Sequence, residues 1–220
     1  MIKMATQTEA LAGIENHVRT NVPKDISDII FTAVSDHKAT FDLSKVIQPG
    51  TSFPAFSLPN AVGASVSLDA LLASAPKGVL LTFYRGEWCP YCNIALSFLQ
   101  KHAADFAAKG VVVVAVSPEL PTTSLTTVEK NELRYEVLSD EGNAVARRLG
   151  LVWRQFDSLA EVARAMGVDQ VARNGDDSRE LPVPANILID KAGVVRNVHA
   201  DPDWSKRLEP SVMLQWADAL

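Results

Sequence analysis

Apolar residues near the N-terminus recur at the spacing of a helical face. Leu11, Ile14 and Val18 form one set, and a second set runs over 26–34 after Pro23. This periodicity predicts two short helices within residues 1–48. The segment is interpreted as a helical N-terminal extension. Its role is open between a packing element without chemistry, a dimerisation arm and a cover over a sheet edge.

From Gly50 onward the pattern changes to short apolar stretches between turn residues. The run PGTSFPAFSLPNAVGASVSL predicts a β-hairpin, and LDALLASAP a short helix. Continuous apolar runs at 78–84 and 111–116 are typical of strands buried on both faces. Between them, one helix is predicted from Pro90 to Lys109, with Gly110 in the position that follows a helix C-terminus.

The later elements continue the alternation of strands and helices. We predict helices at 122–132, 143–149 and the C-terminus, and strands at 136–139, 185–190 and 194–199. A β-α-β-α-β-α order followed by a hairpin and a helix predicts an α/β fold: a mixed, mainly parallel sheet flanked by helices. The segment 152–182 is partly helical and then rich in turn residues, which predicts a mobile insertion.

Composition and charge narrow the classes of function. The chain has 220 residues, 47% apolar and 21% charged, which fits one globular domain with an extension and excludes a wholly disordered chain. The net charge of −5 argues against nucleic acid or an anionic membrane as partner. The sequence has no apolar run long enough to span a membrane and begins without the apolar region of a secretory signal. We therefore expect a cytoplasmic location.

The two cysteines carry the strongest chemical signal. Cys89 and Cys92 form a Cys-Pro-Tyr-Cys motif between a predicted strand and a predicted helix. Cys89 is expected at the N-cap with Pro90 in the first turn, where the helix dipole and free N–H groups favour a thiolate. Cys92, one turn later, is expected to be more buried and less acidic. The pair is close enough to alternate between dithiol and disulfide.

Charged and aromatic residues lie near the two cysteines, and the cysteine pair has two other possible interpretations. Arg85 would add positive charge, and Glu87 would oppose it or accept a proton. Trp88, with Tyr84 and Tyr91, is a candidate for lining a substrate groove or for core packing.

A zinc site normally needs four ligands, yet the chain has no second Cys-x-x-Cys and its histidines are scattered. A purely structural thiol pair is the other alternative. We therefore predict no metal and no cofactor.

Several stretches together resemble a known family. They are PGTSFPAFSL, LTFYRGEWCPYCNIAL, AVSPE, LPVPANILID and DPDWSKRLEP. From residue 49 to 220 the chain resembles the AhpC/TSA peroxiredoxin-like proteins of the thioredoxin superfamily. The resemblance implies a thioredoxin-like domain over 49–220 and thiol-based antioxidant chemistry. It also implies that Pro184, just before a predicted strand, matches the cis-proline whose exposed backbone faces the cysteines.

The sequence departs from the peroxiredoxin pattern at the peroxide-activating residues. The family's Pro-x-x-x-Thr-x-x-Cys loop is not reproduced, because Gly86 and Thr82 stand where its threonine and proline would be. The arginine that precedes the family's late strand is also missing, and Pro184 stands in its place. Only the nucleophile carries over, as Cys89. Arg85 is the candidate that supplies the missing charge, whereas Arg154, Arg207 and Asp201 are interpreted as surface or ion-pair residues.

Three functional hypotheses follow. The first is a peroxiredoxin-like thiol peroxidase in which Cys89 attacks a peroxide, Cys92 forms the disulfide, and thioredoxin or glutathione restores the dithiol. The second is a thioredoxin-like or glutaredoxin-like exchange enzyme acting on disulfide substrates. The third is a redox sensor or binding module, in which residues 1–48 and the insertion 152–182 would bind a partner; a homodimer would use residues 1–48. The resemblance favours the first.

Overall fold

A computed structural model describes residues 6–220, so the first five residues of the predicted extension lie outside the described part. Helices α1, Gln7–Asn21, and α2, Lys24–Thr40, form the extension. Thr6 caps α1 through a reciprocal pair of bonds with Glu9, which satisfies two N–H groups that the helix itself leaves free. Pro23 separates the two helices, as the sequence predicted.

The other elements follow the predicted alternation. The strands are β1 Ser57–Pro59, β2 Ser65–Ser67, β3 Gly78–Phe83, β4 Val111–Ser117, β5 Glu136–Ser139, β6 Val152–Arg154, β7 Glu180–Pro182, β8 Ala185–Asp190 and β9 Val195–Ala200. The helices are α3 Leu68–Ser74, α4 Pro90–Lys101, α5 Ala103–Ala108, α6 Pro121–Asn131, α7 Ala144–Arg148, α8 Asp157–Ala165, α9 Gln170–Asn174 and α10 Pro210–Asp218. Short 3-10 helices lie at Leu43–Lys45 and Glu141–Asn143.

A five-stranded mixed sheet organises the molecule, with strand order β5-β4-β3-β8-β9. Strands β3, β4 and β5 are parallel, whereas β8 runs antiparallel to β3, and β9 antiparallel to β8. The parallel strands β3, β4 and β5 are therefore joined by helical crossovers, and β8 and β9 form a hairpin. This topology confirms the predicted α/β class with a central mixed sheet.

Both faces of the central strands are covered. Val79 and Leu81 on β3 pack in one core cluster, and Leu80 between them packs in another with Leu99 and Phe106. Alternate side chains of a strand point to opposite faces, so burial on both sides requires the continuous apolar run read in the sequence. Within residues 6–220, no helix has the length and apolar character of a membrane span.

One predicted helix is two helices in the structure. The stretch expected to be helical from Pro90 to Lys109 breaks at His102, whose backbone leaves helical geometry with φ −104° and ψ 5°. The His102 ring bonds the Asp105 carboxylate at 2.9 Å at the start of the second helix. The apolar periodicity continues through the break, which is why the sequence pattern did not reveal it.

The predicted insertion, 152–182, contains two helices, as its partly helical pattern indicated, and two short strands. Strands β6 and β7 pair antiparallel at its base, with Val152 opposite Pro182. Helices α8 and α9 lie between those strands. Leu159 and Val162 on α8 are buried, and Leu159 packs in the cluster that contains both cysteines.

The N-terminal helices are fixed to the segment before α10. The Gln7 side chain donates to Leu208 O at 2.9 Å, and Thr8 N donates to the Glu209 carboxylate at 2.8 Å. His37 Nδ1 lies 2.8 Å from Pro202 O. The extension therefore packs beside the end of the sheet where the cysteines lie.

Candidate active site

Both cysteines lie at the junction predicted from the sequence. Cys89 is the N-cap of α4, Pro90 occupies the first helical position, and the backbone N–H of Cys92 donates to Cys89 Sγ at 3.4 Å. The first turn of a helix leaves N–H groups free and carries partial positive charge. Both effects stabilise a thiolate on Cys89.

Each sulfur also receives one guanidinium. Arg85 Nη2 lies 3.2 Å from Cys89 Sγ, and Arg207 Nη2 lies 3.3 Å from Cys92 Sγ. Arg85 comes from the loop after β3 and Arg207 from the segment before α10. Both cysteine residues are 0% exposed, so the expectation that Cys92 would be the more buried is wrong. Buried charges interact more strongly than exposed ones because the surroundings screen them less.

These contacts separate the acidities of the two thiols. Burial alone would raise the pKa of Cys89, but a hydrogen bond from the Cys92 thiol and the charges of Arg85 and Arg207 hold it well below its usual range. The pKa of Cys92 is raised well above its usual range by burial and by the neighbouring Cys89 sulfur. Cys89 is therefore suited to be the nucleophile, and Cys92 to remain protonated until it reacts.

Aromatic rings hold Arg85 in place. Its guanidinium lies 4.9 Å from the Trp88 ring and 4.9 Å from the Trp204 ring. Trp204 stacks on Trp153 at 5.5 Å, and Trp153 stacks on His37 of the N-terminal extension at 4.0 Å. Such cation–π contacts fix a buried guanidinium without neutralising it.

Two acidic residues support the loop before Cys89. Glu119 is 0% exposed; its carboxylate accepts from Glu87 N at 2.9 Å and from Arg173 Nε at 2.8 Å. Arg173 also pairs with the Glu87 carboxylate at 2.7 Å, and Lys130 pairs with that same group. Glu87 is therefore engaged by cations rather than facing Cys89. Through Arg173 on α9, the network ties the insertion to the loop.

The loop before Cys89 requires a glycine at position 86, where its backbone lies close to Trp88 and Glu119. Its φ of +150° is one that L side chains rarely adopt. A Cβ there would lie 2.5 Å from Trp88 Nε1 and 2.9 Å from Glu119 Oε1. Gly86 therefore lets the backbone approach Trp88 and the buried carboxylate closely.

A cavity of about 280 Å³ lies against the loop and the start of α4. Its inner wall includes Arg85, Trp88, Pro90, Tyr91 and Trp204. Tyr84 is buried outside this lining. The opposite walls come from α1 and α2 (Ile14, Val18, Ile30) and from the insertion (Gln155, Leu159, Val162, Ala163, Met166, Val168). The surface beside the cysteines is therefore enclosed by the extension and the insertion.

Pro184 differs from the sequence-based expectation. It lies between β7 and β8, but every peptide bond within residues 6–220 is trans, so the predicted cis-proline is wrong. The cis and trans forms of an X-Pro bond differ by only about 0.5–1 kcal/mol, so surrounding contacts decide between them. Here Val183 N donates to Leu151 O at 2.7 Å, and Asp201 N donates to Pro184 O at 3.4 Å. These backbone groups are not free to pair with a substrate chain.

Sequence reasoning missed the partners contributed by distant segments. Arg207 was interpreted as a surface or ion-pair residue, yet it contacts Cys92 across 115 positions of sequence. Asp201 caps a local turn through Asp203 N, and Arg154 pairs with Asp157 at the surface. The stretch DPDWSKRLEP, which contains Trp204 and Arg207, carries part of the family resemblance, but its pattern gives neither residue a role beside the cysteines.

The central sheet with its flanking helices is a thioredoxin-like fold, and two free, buried cysteines lie at the N-terminus of α4. Residues 49–198 match the AhpC/TSA family, and the chain belongs to that family. The structure resembles the peroxidoxin BcpB of Mycobacterium tuberculosis with a TM-score of 0.61 at 20% identity, covering 79% of this chain and 98% of that one. It also resembles AhpC of Enterococcus faecalis with a TM-score of 0.59 at 14% identity, covering 78% and 90% of the two chains.

Sequence relatives point the same way. The chain is 35% identical over 107 residues to a putative peroxiredoxin bcp of Buchnera aphidicola, covering 49% of this chain and 65% of that protein. It is 34% identical over 121 residues to a putative peroxiredoxin bcp of Haemophilus influenzae, covering 52% of this chain and 76% of that protein. The peroxiredoxin Bcp of Escherichia coli is 30% identical over 107 residues, covering 49% and 66%.

Proposed function

We propose that this protein is a thiol peroxidase in which Cys89 reduces a peroxide and Cys92 resolves the product as an intramolecular disulfide. The observation that carries the proposal is the pairing of a buried Cys89 sulfur with Arg85 at a helix N-terminus, one turn from a second thiol. Its relatives named as peroxiredoxins support the same assignment.

The reaction divides into three balanced steps. The Cys89 thiolate attacks the terminal oxygen of a hydroperoxide, so an S–O bond forms, the O–O bond breaks, and the leaving alkoxide or hydroxide takes a proton from solvent. The Cys92 thiol then condenses with the Cys89 sulfenic acid, forming the disulfide and releasing water. Finally, one molecule of a dithiol such as thioredoxin, or two of a monothiol such as glutathione, reduce the disulfide to the dithiol and are themselves oxidised to a disulfide.

Each site residue has a proposed role in this cycle. Arg85 stabilises the thiolate and faces the incoming peroxide, and Trp88 holds the Arg85 guanidinium. Pro184 shapes the buried backbone entering β8. We further propose that residues 1–48 act as a helical extension of a thioredoxin-like domain over 49–220, because α1 and α2 supply walls of the cavity.

Exchange with protein disulfides is the less favoured alternative. The backbone at Val183 and Pro184, which would have to pair with a substrate chain, already bonds within the fold.

Stopped-flow tryptophan fluorescence tests the proposal, because Trp88 and Trp204 flank Arg85 beside the reacting sulfur. The reduced protein is mixed with hydrogen peroxide or an organic hydroperoxide, with cystine as the disulfide comparison. We expect a peroxide reaction much faster than that of free cysteine, abolished in Cys89→Ser. The Cys92→Ser variant should accumulate a sulfenic acid that dimedone traps. A wild-type rate no faster than that of free cysteine would overturn the assignment.

A further inference from the structure

The cavity beside Arg85 contains polar atoms that the fold leaves without partners. Among residues 6–220, no hydrogen-bond partner is present for three buried atoms on cavity-lining residues: Arg85 Nε, Trp88 Nε1 and Gln155 Oε1. Arg85 is 4% exposed and Gln155 only 1%. A buried polar atom without a partner destabilises the folded state, so three around one cavity indicate a polar ligand.

The chemistry of these atoms matches a hydroperoxide. Arg85 Nε and Trp88 Nε1 are hydrogen-bond donors, and Gln155 Oε1 is an acceptor. A hydroperoxide has two oxygens that accept and one O–H that donates. Most of the other side chains lining the cavity are apolar, among them Ile14, Leu159 and Val162. Gln155 is thus the acceptor suited to the O–H group.

We propose that Gln155 is a substrate-binding residue that accepts a hydrogen bond from the hydroperoxide O–H, while Arg85 donates to the peroxide oxygens. The proposal rests on the peroxidase function and adds a residue to it. This sequence lacks the family's threonine and late-strand arginine. In the proposed arrangement, Arg85 and Trp88 provide donors and Gln155 provides an acceptor.

The fold places Gln155 accurately at the cavity. Gln155 directly follows β6, and its backbone N–H donates to Arg179 O at 2.9 Å. Two residues earlier, Trp153 stacks on Trp204, whose ring lies against the Arg85 guanidinium. A rigid strand end and a stacked ring therefore hold Gln155 in a constant relation to Arg85, as a binding group requires.

This hydrogen bond favours the first chemical step. Arg85 lines the cavity and also contacts Cys89 Sγ at 3.2 Å, so it connects the bound peroxide to the reacting sulfur. When the Cys89 thiolate attacks the oxygen that carries the O–H group, the sulfenic acid retains that hydrogen. The second oxygen leaves as alkoxide or hydroxide beside the Arg85 and Trp88 donors and then takes a proton from solvent. Gln155 exchanges no proton or electron, so its contribution is orientation of the peroxide.

The decisive variant is Gln155→Leu in the full-length protein. Leucine has a similar volume and carries no polar atom of its own to be buried without a partner, so we expect the fold to be as stable as wild type or more so. The second-order rate constant with hydrogen peroxide should fall by about 10- to 100-fold, equivalent to roughly 1.4–2.7 kcal/mol of transition-state stabilisation. Gln100→Leu is the matched control, because Gln100 Oε1 binds Arg134 N outside the cavity lining.

A second readout separates substrate binding from a structural role. The thiolate absorbance of Cys89 against pH and its alkylation by iodoacetamide should be unchanged in Gln155→Leu, since neither needs a peroxide acceptor. Parallel losses in peroxide reaction and alkylation would overturn the proposal, because they would indicate a displaced thiolate. Gln155→Met provides the same comparison if the leucine variant does not fold.

The two proposals fail in different ways. A slow wild-type reaction with peroxide would reject the peroxidase function itself. A fast wild-type reaction with an unchanged Gln155→Leu rate would reject only the role of Gln155.

Discussion

The pairing of one arginine with each sulfur leads to a differential prediction. We expect Arg85→Met, made in a Cys92→Ser background, to shift the Cys89 equilibrium from thiolate to thiol. Methionine keeps the unbranched, flexible shape of the side chain but removes the charge and the 3.2 Å contact. The variant therefore tests the electrostatic argument with limited loss of packing.

The magnitude follows from the geometry. Two unit charges at the observed 3.2 Å attract by about 5 kcal/mol at an effective dielectric constant of ~20. The desolvation of Arg85 offsets much of this attraction, and hydrogen bonds to charged groups contribute about 1.5–3 kcal/mol net. At ~1.4 kcal/mol per tenfold, the equilibrium should move about 10- to 150-fold toward the thiol.

The assay is the rate of iodoacetamide alkylation as a function of pH, with thiolate absorbance as an independent measure. In the parent, the pKa of Cys89 is held well below its usual range, so the alkylation rate should fall at a lower pH than it does for an ordinary cysteine. In Arg85→Met the fall should occur at a higher pH. An identical profile in the two proteins would refute the view that Arg85 activates Cys89.

Arg207→Met is the comparison variant, and for this assay it and Arg85→Met are both made with both cysteines present. It removes the guanidinium 3.3 Å from the Cys92 sulfur rather than the one beside Cys89. We expect sulfenic acid to form at a rate much closer to wild type, followed by slower disulfide formation. If Arg207→Met slowed sulfenic acid formation as much as Arg85→Met does, the two arginines would act together on both sulfurs rather than each on its own.

Three further changes test the surroundings of the site. Gly86→Ala should lower the free energy of unfolding by about 2–4 kcal/mol, because the added Cβ would lie 2.5 Å from Trp88 Nε1. Urea denaturation measures this loss, and an unchanged midpoint would contradict the view that only glycine fits this position. Arg173→Met should lower the free energy of unfolding by about 3–5 kcal/mol, because it leaves the buried Glu119 carboxylate without its cation. Adding Glu119→Gln to that variant should restore part of the lost stability in thermal unfolding. Burial lowers the pKa of His37 to about 4 against 6.5 in the unfolded chain, so its contribution to stability is complete above pH 6.5 and is lost as the pH falls toward 4. In His37→Phe, the free energy of unfolding should therefore fall by roughly 2–3 kcal/mol less between pH 7 and pH 4 than it does in the wild type, as measured by urea denaturation at each pH. The same fall in both proteins would assign the acid sensitivity to other groups.

The sequence alone was sufficient for the fold class and for the reacting pair. Apolar runs at 78–84 and 111–116 can be buried only as central strands, and helices between them require parallel crossovers. Cys89 and Cys92 are close in sequence, and a helix start is a local structure. Local spacing therefore determined both their proximity and the capping position of Cys89.

The tertiary structure decided everything that depends on segments distant in sequence. Arg207, Glu119 and Gln155 reach the Cys89 loop only because β4, β6 and the chain before α10 end near the same end of the sheet. No periodicity encodes such contacts, since each comes from a single side chain in a loop or at a strand end. The same holds for Pro184, because bonds to Leu151 and Asp201, rather than the proline itself, set the local backbone.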